Sequence, residues 1–166
     1  MKLAIVYFSK TGRTEQMAEE IKKGMLQAAP EAEIKLIPVA QYTENKEEYD
    51  SWIAESCGVV FGTPDYYASE AWQMRQWMHT SSAKLAGKLG GVYVTANMPQ
   101  GGMTTAIMNI VTEIMVKGML VYSGGTTCGQ PFIHLGPVCY GPEMNGKELF
   151  PIFGQRFAAK AKELFA

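Results

Sequence analysis

Apolar and polar positions along the chain alternate between two rhythms. KLAIVYF (2–8) is a short, almost unbroken apolar run, as expected of a strand buried on both faces. From Arg13 to Ala28 the apolar positions Met17, Ile21, Met25 and Ala28 recur every three or four residues and predict a helix. AEIKLIPV (32–39) alternates as a second strand, and residues 40–50 form a polar connection with a short helix following near 49–55. CGVVFGT (57–63) predicts a third buried strand ended by Pro64, and SEAWQMRQWMHTSS (69–82) a helix with Ser69 as its cap. LGGVYVTA (89–96) predicts a fourth strand, TTAIMNIVTEIMVKG (104–118) a helix stopped by Gly118, and MLVYSGG (119–125) a fifth strand. The Gly/Pro-rich stretch 126–146 is longer than an ordinary connection, which makes it a candidate functional loop. A final amphipathic helix spans 147–165.

Five strands alternating with helices predict an α/β fold, a doubly wound parallel sheet with helices on both faces, and the length predicts a single domain over residues 1–166. In such a sheet, ligands bind beyond the carboxyl ends of the strands, so the residues following each strand carry the chemistry. After the first strand, Ser9, Lys10, Thr11, Gly12, Arg13 and Thr14 run straight into a helix. Hydroxyls, a flexible glycine and the free N–H groups of a helix start make a cradle for a phosphate dianion. The same residues also suit an ordinary capped turn. GxxxxGK[ST] and GxGxxG are both absent from this position, which sets aside the common nucleotide loops.

After the third strand come Pro64, Asp65, Tyr66 and Tyr67, whose rings can pack on a planar ligand or cover the next helix. After the fourth come Thr95, Ala96, Asn97, Met98 and Gly101, rich in groups that suit the hydrogen-bonding edge of a heterocycle. A phosphate cradle, an aromatic loop and a polar loop on three strand ends describe a phosphorylated planar cofactor.

At these residues a resemblance emerges. SKTGRTEQMA resembles the phosphate loop of flavodoxin-like FMN proteins, and GTPDYYASEAWQMRQWM resembles the flavin loop and following helix of the WrbA-type NAD(P)H:quinone oxidoreductases and related NADPH-dependent FMN reductases. The similarity runs on through GKLGGVYVTANMPQGGMTTAIMNIVTEIMVKGMLVYSGG and covers nearly the whole chain. It implies a flavodoxin-like sheet in the order 2-1-3-4-5 and FMN as cofactor. The phosphate would be held by Ser9 to Thr14, the ring would meet Pro64, Asp65, Tyr66 and Tyr67, and the pyrimidine edge would meet Thr95, Ala96, Asn97, Met98 and Gly101. Two departures bear on the substrate pocket. The family's His-His-Gly is replaced by Val116-Lys117-Gly118, and its Trp-bearing segment before the fourth strand is shortened to SSAKLAGK. If Lys117 stands where the family's histidine does, its charge would tune the flavin toward the reduced form; the alternative is a solvated lysine at a helix C-terminus.

Charge sorts the remaining functions. Lys plus Arg number 15 and Asp plus Glu 16, a net charge of −1, which argues against a nucleic-acid partner. Twelve of the 16 acids lie between Glu15 and Glu70, whereas Ala71 to Pro142 contains only Glu113 against Arg75, Lys84, Lys88 and Lys117. The ring side is therefore not an acidic docking face, which favours a small-molecule electron acceptor, with NAD(P)H as donor, over a single-electron carrier serving protein partners. A scaffold that kept the fold without a cofactor is the third reading. Cys57, Cys128 and Cys139, odd in number and without a CxxC pair, fit reduced thiols in a cytoplasmic protein. His79 and His134 have no metal-ligand spacing, and no apolar run is long enough for a membrane span. Trp72, Trp77, Met74 and Met78 recur at helical spacing and fit core or a subunit interface. A homo-oligomer, dimer or tetramer, is expected.

Overall fold

The computed structural model describes residues 1–165. Its elements are β1 (Lys2–Tyr7), α1 (Arg13–Ala28), β2 (Glu33–Pro38), α2 (Lys46–Glu55), β3 (Gly58–Tyr66), β4 (Ser69–Glu70), α3 (Trp72–Thr80), β5 (Leu89–Ala96), α4 (Met103–Val116), β6 (Leu120–Val121), β7 (Val138–Tyr140) and α5 (Leu149–Phe165). One-turn 3-10 helices occupy Val39–Gln41 and Thr126–Cys128. The main path of the sheet is β2-β1-β3-β5-β6, all parallel, with β7 also pairing with β5 and β4 running antiparallel beside β3. With β5 and β6 as the fourth and fifth major strands, this is the expected order 2-1-3-4-5.

Side-chain alternation along the strands divides the core in two. Leu3, Ile5 and Tyr7 of β1 and Tyr93 of β5 pack with Met17, Ile21 and Met25 of α1 and Phe153 and Phe157 of α5. Ala4 and Val6, with Val92 and Val94, pack on the opposite face with Ile53 of α2, Met74 and Trp77 of α3 and Ile110 and Ile114 of α4. Both faces of the sheet are covered, and for this reason β1 and β5 read as unbroken apolar runs.

Besides α2, which begins at Lys46 rather than near Tyr49, three differences from the sequence expectation bear on the site and the sheet edge. β3 does not stop at Pro64 but continues to Tyr66, with Pro64 in register with Thr95. The helix expected from Ser69 begins at Trp72, because Ser69 and Glu70 turn back to pair with Tyr66 and Asp65. The fifth strand is split: Leu120 and Val121 pair with Leu89 and Gly90, the chain then leaves the sheet, and Val138–Tyr140 returns to pair with Val94–Ala96. Gly124, Gly125 and Gly129 take φ of 86°, 55° and 95° as the chain departs. The departing segment is held by one side chain. Arg156 of α5 donates to the carbonyls of Gly124 (3.1 Å), Gly125 (3.4 Å), Gly129 (3.0 Å) and Pro131 (3.1 Å). Among the described residues, no helix is long and apolar enough to cross a membrane.

Candidate functional site

The carboxyl ends of β1, β3 and β5 open into a cavity of about 260 Å³. Lys10, Thr11, Arg13 and Thr14 line it from the first loop, Pro64, Asp65 and Tyr66 from the second, and Thr95, Ala96 and Asn97 from the third. Ten of the fifteen residues expected at a cofactor site therefore form its wall.

The first loop is shaped by Gly12, the N-cap of α1, whose φ of 87° is left-handed and costly for a side chain to adopt. Nothing lies within 4 Å of where a Cβ on Gly12 would stand, so the backbone there is bare. Ser9 takes over the capping role: its Oγ accepts the Glu15 amide at 3.3 Å. Burial, and then the bond that the Tyr7 hydroxyl donates to the Glu15 carboxylate at 3.0 Å, raise the Tyr7 phenol above its usual range. The loop rests on β5. Thr14 Oγ1 lies 2.9 Å from Thr95 Oγ1, and the Tyr93 hydroxyl donates to the Thr14 carbonyl at 2.9 Å. Tyr93 and Thr95 are two residues apart and so share a face of the strand. Tyr93 finds room because its neighbour is Gly62, where a Cβ would stand 2.0 Å from the ring. Across the cavity, Arg13 Nη1 donates to Asn97 Oδ1 at 2.9 Å and ties the first loop to the third.

The second loop is a hairpin stapled at its base by Thr63. Its Oγ1 accepts the Ala71 amide and donates to the Pro64 carbonyl, both at 2.9 Å. Asp65 is half-buried; burial pushes its carboxyl up from the usual range, against hydrogen bonds from the backbone of Ala68 and Ser69 that pull it down. Its Oδ1 is buried with no partner among the described residues. Such an oxygen is costly to leave unsatisfied and calls for a donor.

The other expected residues stand nearby in different roles. Ser9 and Gly12 shape the first loop from behind its lining residues. Tyr67 sits at the hairpin tip, fully exposed, and does not line the cavity. Met98 is exposed, and its carbonyl accepts the Gly101 amide at 3.2 Å, closing a turn. Gly101 backs the second loop, since a Cβ there would come within 2.8 Å of Asp65 Oδ2. Lys117 corrects an expectation. It lies at the far end of the 14-residue α4, about 20 Å along the axis from its start, and lines a separate cavity with His79 and Glu113. Within one protomer it cannot serve the first cavity. In the long loop, Cys139 is fully buried on β7 with its thiol pushed by burial up to about 12, while Cys128 is exposed beside Tyr122.

Sequence reasoning missed Tyr93, Thr63 and Glu70. The period-two spacing of Tyr93 and Thr95 could have shown that both face α1. Nothing local marks Glu70, whose role depends on helices α3 and α4.

The parallel sheet order, helices on both faces and a cavity across three strand ends define a flavodoxin-like α/β protein. No protein-family model matches the chain. It is 43% identical over 168 residues to a protein named flavodoxin from Clostridium saccharobutylicum, covering 99% of this chain and 100% of that one. The chain belongs to the flavodoxin family. It is also 28% identical over 197 residues to an NAD(P)H dehydrogenase (quinone) of Chromohalobacter salexigens, with 98% of each covered. Among solved structures it is similar to a flavodoxin, WrbA-like protein from Agrobacterium tumefaciens, with a TM-score of 0.77, 23% identity and 98% of each chain covered.

Proposed function

We propose that the chain binds FMN in the cavity over β1, β3 and β5 and works as a flavoprotein oxidoreductase. One observation carries this reading: loops 10–14, 64–66 and 95–97, far apart in sequence, wall a single cavity whose two ends differ in chemistry. The first loop brings cations and hydroxyls (Lys10, Thr11, Arg13, Thr14), and the second an aromatic ring and a carboxylate (Tyr66, Asp65). FMN fits these residues. Lys10, Thr11, Arg13 and Thr14 suit a phosphate, and the Asp65 carboxylate beside Tyr66 suits a donor of the kind an imide N–H supplies.

When bound, the flavin supplies hydride acceptance and onward electron release. The chain's own work is placement. Lys10, Thr11, Arg13 and Thr14 hold the phosphate on a turn shaped by Ser9 and Gly12; Pro64, Asp65 and Tyr66 border the ring; Thr95, Ala96 and Asn97 border its polar edge. Titrating the apoprotein with FMN and following the visible absorption band tests this. Failure of the wild-type protein to bind FMN overturns it.

For the reaction, we infer that NAD(P)H donates and a quinone or similar small molecule accepts. The near-neutral charge supports this, as does the single acid, Glu113, between Ala71 and Pro142, which faces Arg75 and His79 rather than a docking partner. A single-electron carrier is the second reading, favoured by the 43% identical relative named flavodoxin. Steady-state oxidation of NADH or NADPH with a soluble quinone separates them: turnover by the FMN-loaded protein supports the enzyme, and its absence supports the carrier. We further propose a homo-oligomer, on the exposed apolar Met115, Val116, Leu120 and Val121 at one end of α4 and on β6. Light scattering tests that: a monomeric mass overturns it.

A further inference from the structure

The hairpin that carries Asp65 and Tyr66 turns through two residues, framed by the pairs Asp65–Glu70 and Tyr66–Ser69. Such turns favour glycine or asparagine, because both central residues take positive φ. Here they are Tyr67 and Ala68, with φ of 54° and 60°. Left-handed conformations are disfavoured for side-chain-bearing residues and persist only where surroundings impose them.

The surroundings are specific. Behind the turn, the Glu70 side chain is 1% exposed. Among the described residues it is the one Asp, Glu, Lys, Arg or His classed as buried. Its Oε2 accepts from Ser69 Oγ and from Asn109 Nδ2, each at 2.9 Å. Its Oε1 forms an ion pair with the Arg75 guanidinium without aligned hydrogen-bond geometry. Asn109 Nδ2 and Arg75 Nη2 also reach Ser69 Oγ, at 3.1 Å and 3.4 Å. In front, Gly102 leaves room for Ala68: a Cβ there would stand 2.3 Å from the Ala68 Cβ. A buried, paired carboxylate is weak in stabilising a fold, and an apolar side chain of similar size often does as well or better. What this carboxylate does supply is a fixed direction for the strand that closes the turn.

We propose that Glu70 is a positioning residue: gripped by Arg75 and Asn109, it locks the Tyr67–Ala68 turn in its left-handed shape and so presents Asp65 and Tyr66 to the flavin. The proposal rests on the FMN reading and adds the device that shapes the ring side of the site.

Glu70→Met removes the grip while keeping side-chain length, and Arg75, 44% exposed, is left in contact with water. In the apoprotein, NMR three-bond couplings at Tyr67 and Ala68 should show both residues leaving positive φ. The FMN dissociation constant should rise about tenfold, the size of one lost turn preference. Ala68→Gly added to Glu70→Met should recover most of that affinity, because glycine adopts the left-handed shape freely. Glu70→Gln keeps an acceptor for Asn109 and Ser69 but loses the Arg75 ion pair. It should shift the couplings and the dissociation constant in the same direction as Glu70→Met by a smaller amount, and a larger shift than in Glu70→Met would overturn the proposal. Unchanged couplings in Glu70→Met, or a folded double variant without recovered affinity, would overturn the proposal. If Glu70→Met does not fold, Asn109→Leu loosens the same grip without a stranded charge. It must show the same signature at smaller size, or the proposal falls. The couplings are read without flavin, so they judge the anchor even if the wild-type protein fails to bind FMN.

Discussion

Thr14 Oγ1 and Thr95 Oγ1 meet at 2.9 Å, both residues buried, and join the start of α1 to the end of β5. The contact locks the phosphate end of the proposed site to its ring end. Thr95→Val keeps the shape but leaves the Thr14 hydroxyl buried without a partner, at a cost of about 1–3 kcal/mol. Urea unfolding should show that loss, and FMN titration should show weaker binding. A variant with wild-type stability and affinity would mean that the pair is incidental.

Gly62→Ala should be more damaging. The new Cβ would lie 2.0 Å from the Tyr93 ring and would push its hydroxyl off the Thr14 carbonyl. Overpacking of this kind costs about 1–3 kcal/mol, before the lost hydrogen bond of about 1 kcal/mol. Tyr93→Phe removes only the hydrogen bond and should lie between wild type and Gly62→Ala in thermal unfolding. Equal midpoints for the two variants would contradict this ordering.

Asp65 sets a pH dependence of definite sign. Its folded-state pKa is raised, chiefly by burial, from the ordinary 3.8. Below 3.8 the carboxyl is protonated in both folded and unfolded chains and contributes nothing. As pH climbs through the raised folded value, the folded state must ionise a half-buried group, and stability falls to a plateau. Asp65→Asn removes that fall, so the flavin-free variant should exceed wild type in stability at neutral pH and match it in acid. Denaturant midpoints across that range check it. A variant less stable at neutral pH would refute it.

Arg156→Lys should loosen residues 124–131 with little effect elsewhere. A lysine ammonium lacks the planar fork that reaches four carbonyls at once. Limited proteolysis should then cut within this segment faster than in wild type, while the far-ultraviolet circular dichroism stays unchanged. Equal cutting rates would show that the clamp does not hold the loop.

The sheet was legible in the sequence because β1, β3 and β5 are buried on both faces, and only unbroken apolar runs satisfy that environment. The cavity was legible because its wall lies at, or just beyond, the carboxyl ends of those strands. Ser69 was read as a helix cap because Ser-Glu ahead of an apolar run is a common helix start. In the fold, tertiary contacts from Arg75 and Asn109 pull Glu70 into a strand instead. The turn at Tyr67–Ala68 was invisible, since neither residue type advertises positive φ. Of the two readings of Lys117, the one carried over from the family's histidine does not fit within one protomer, because the residue stands at the C-terminus of α4 beside His79 and Glu113. β7 was missed because VCY is a three-residue strand inside a Gly/Pro-rich stretch, too short to show a period.

The split of the fifth strand has a consequence for how the molecule meets its neighbours. An open sheet edge offers unpaired N–H and C=O groups that another chain's strand can zip onto. Here that edge consists of a two-residue piece and a three-residue piece, parted by residues 122–137. Neither piece is long enough to seed a cross-chain ladder, and the looping segment stands between them. The opposite edge, β2, ends on Pro38, which has no N–H to offer. The same excursion that leaves and rejoins the sheet thus leaves this edge no strand longer than three residues for another copy to pair with.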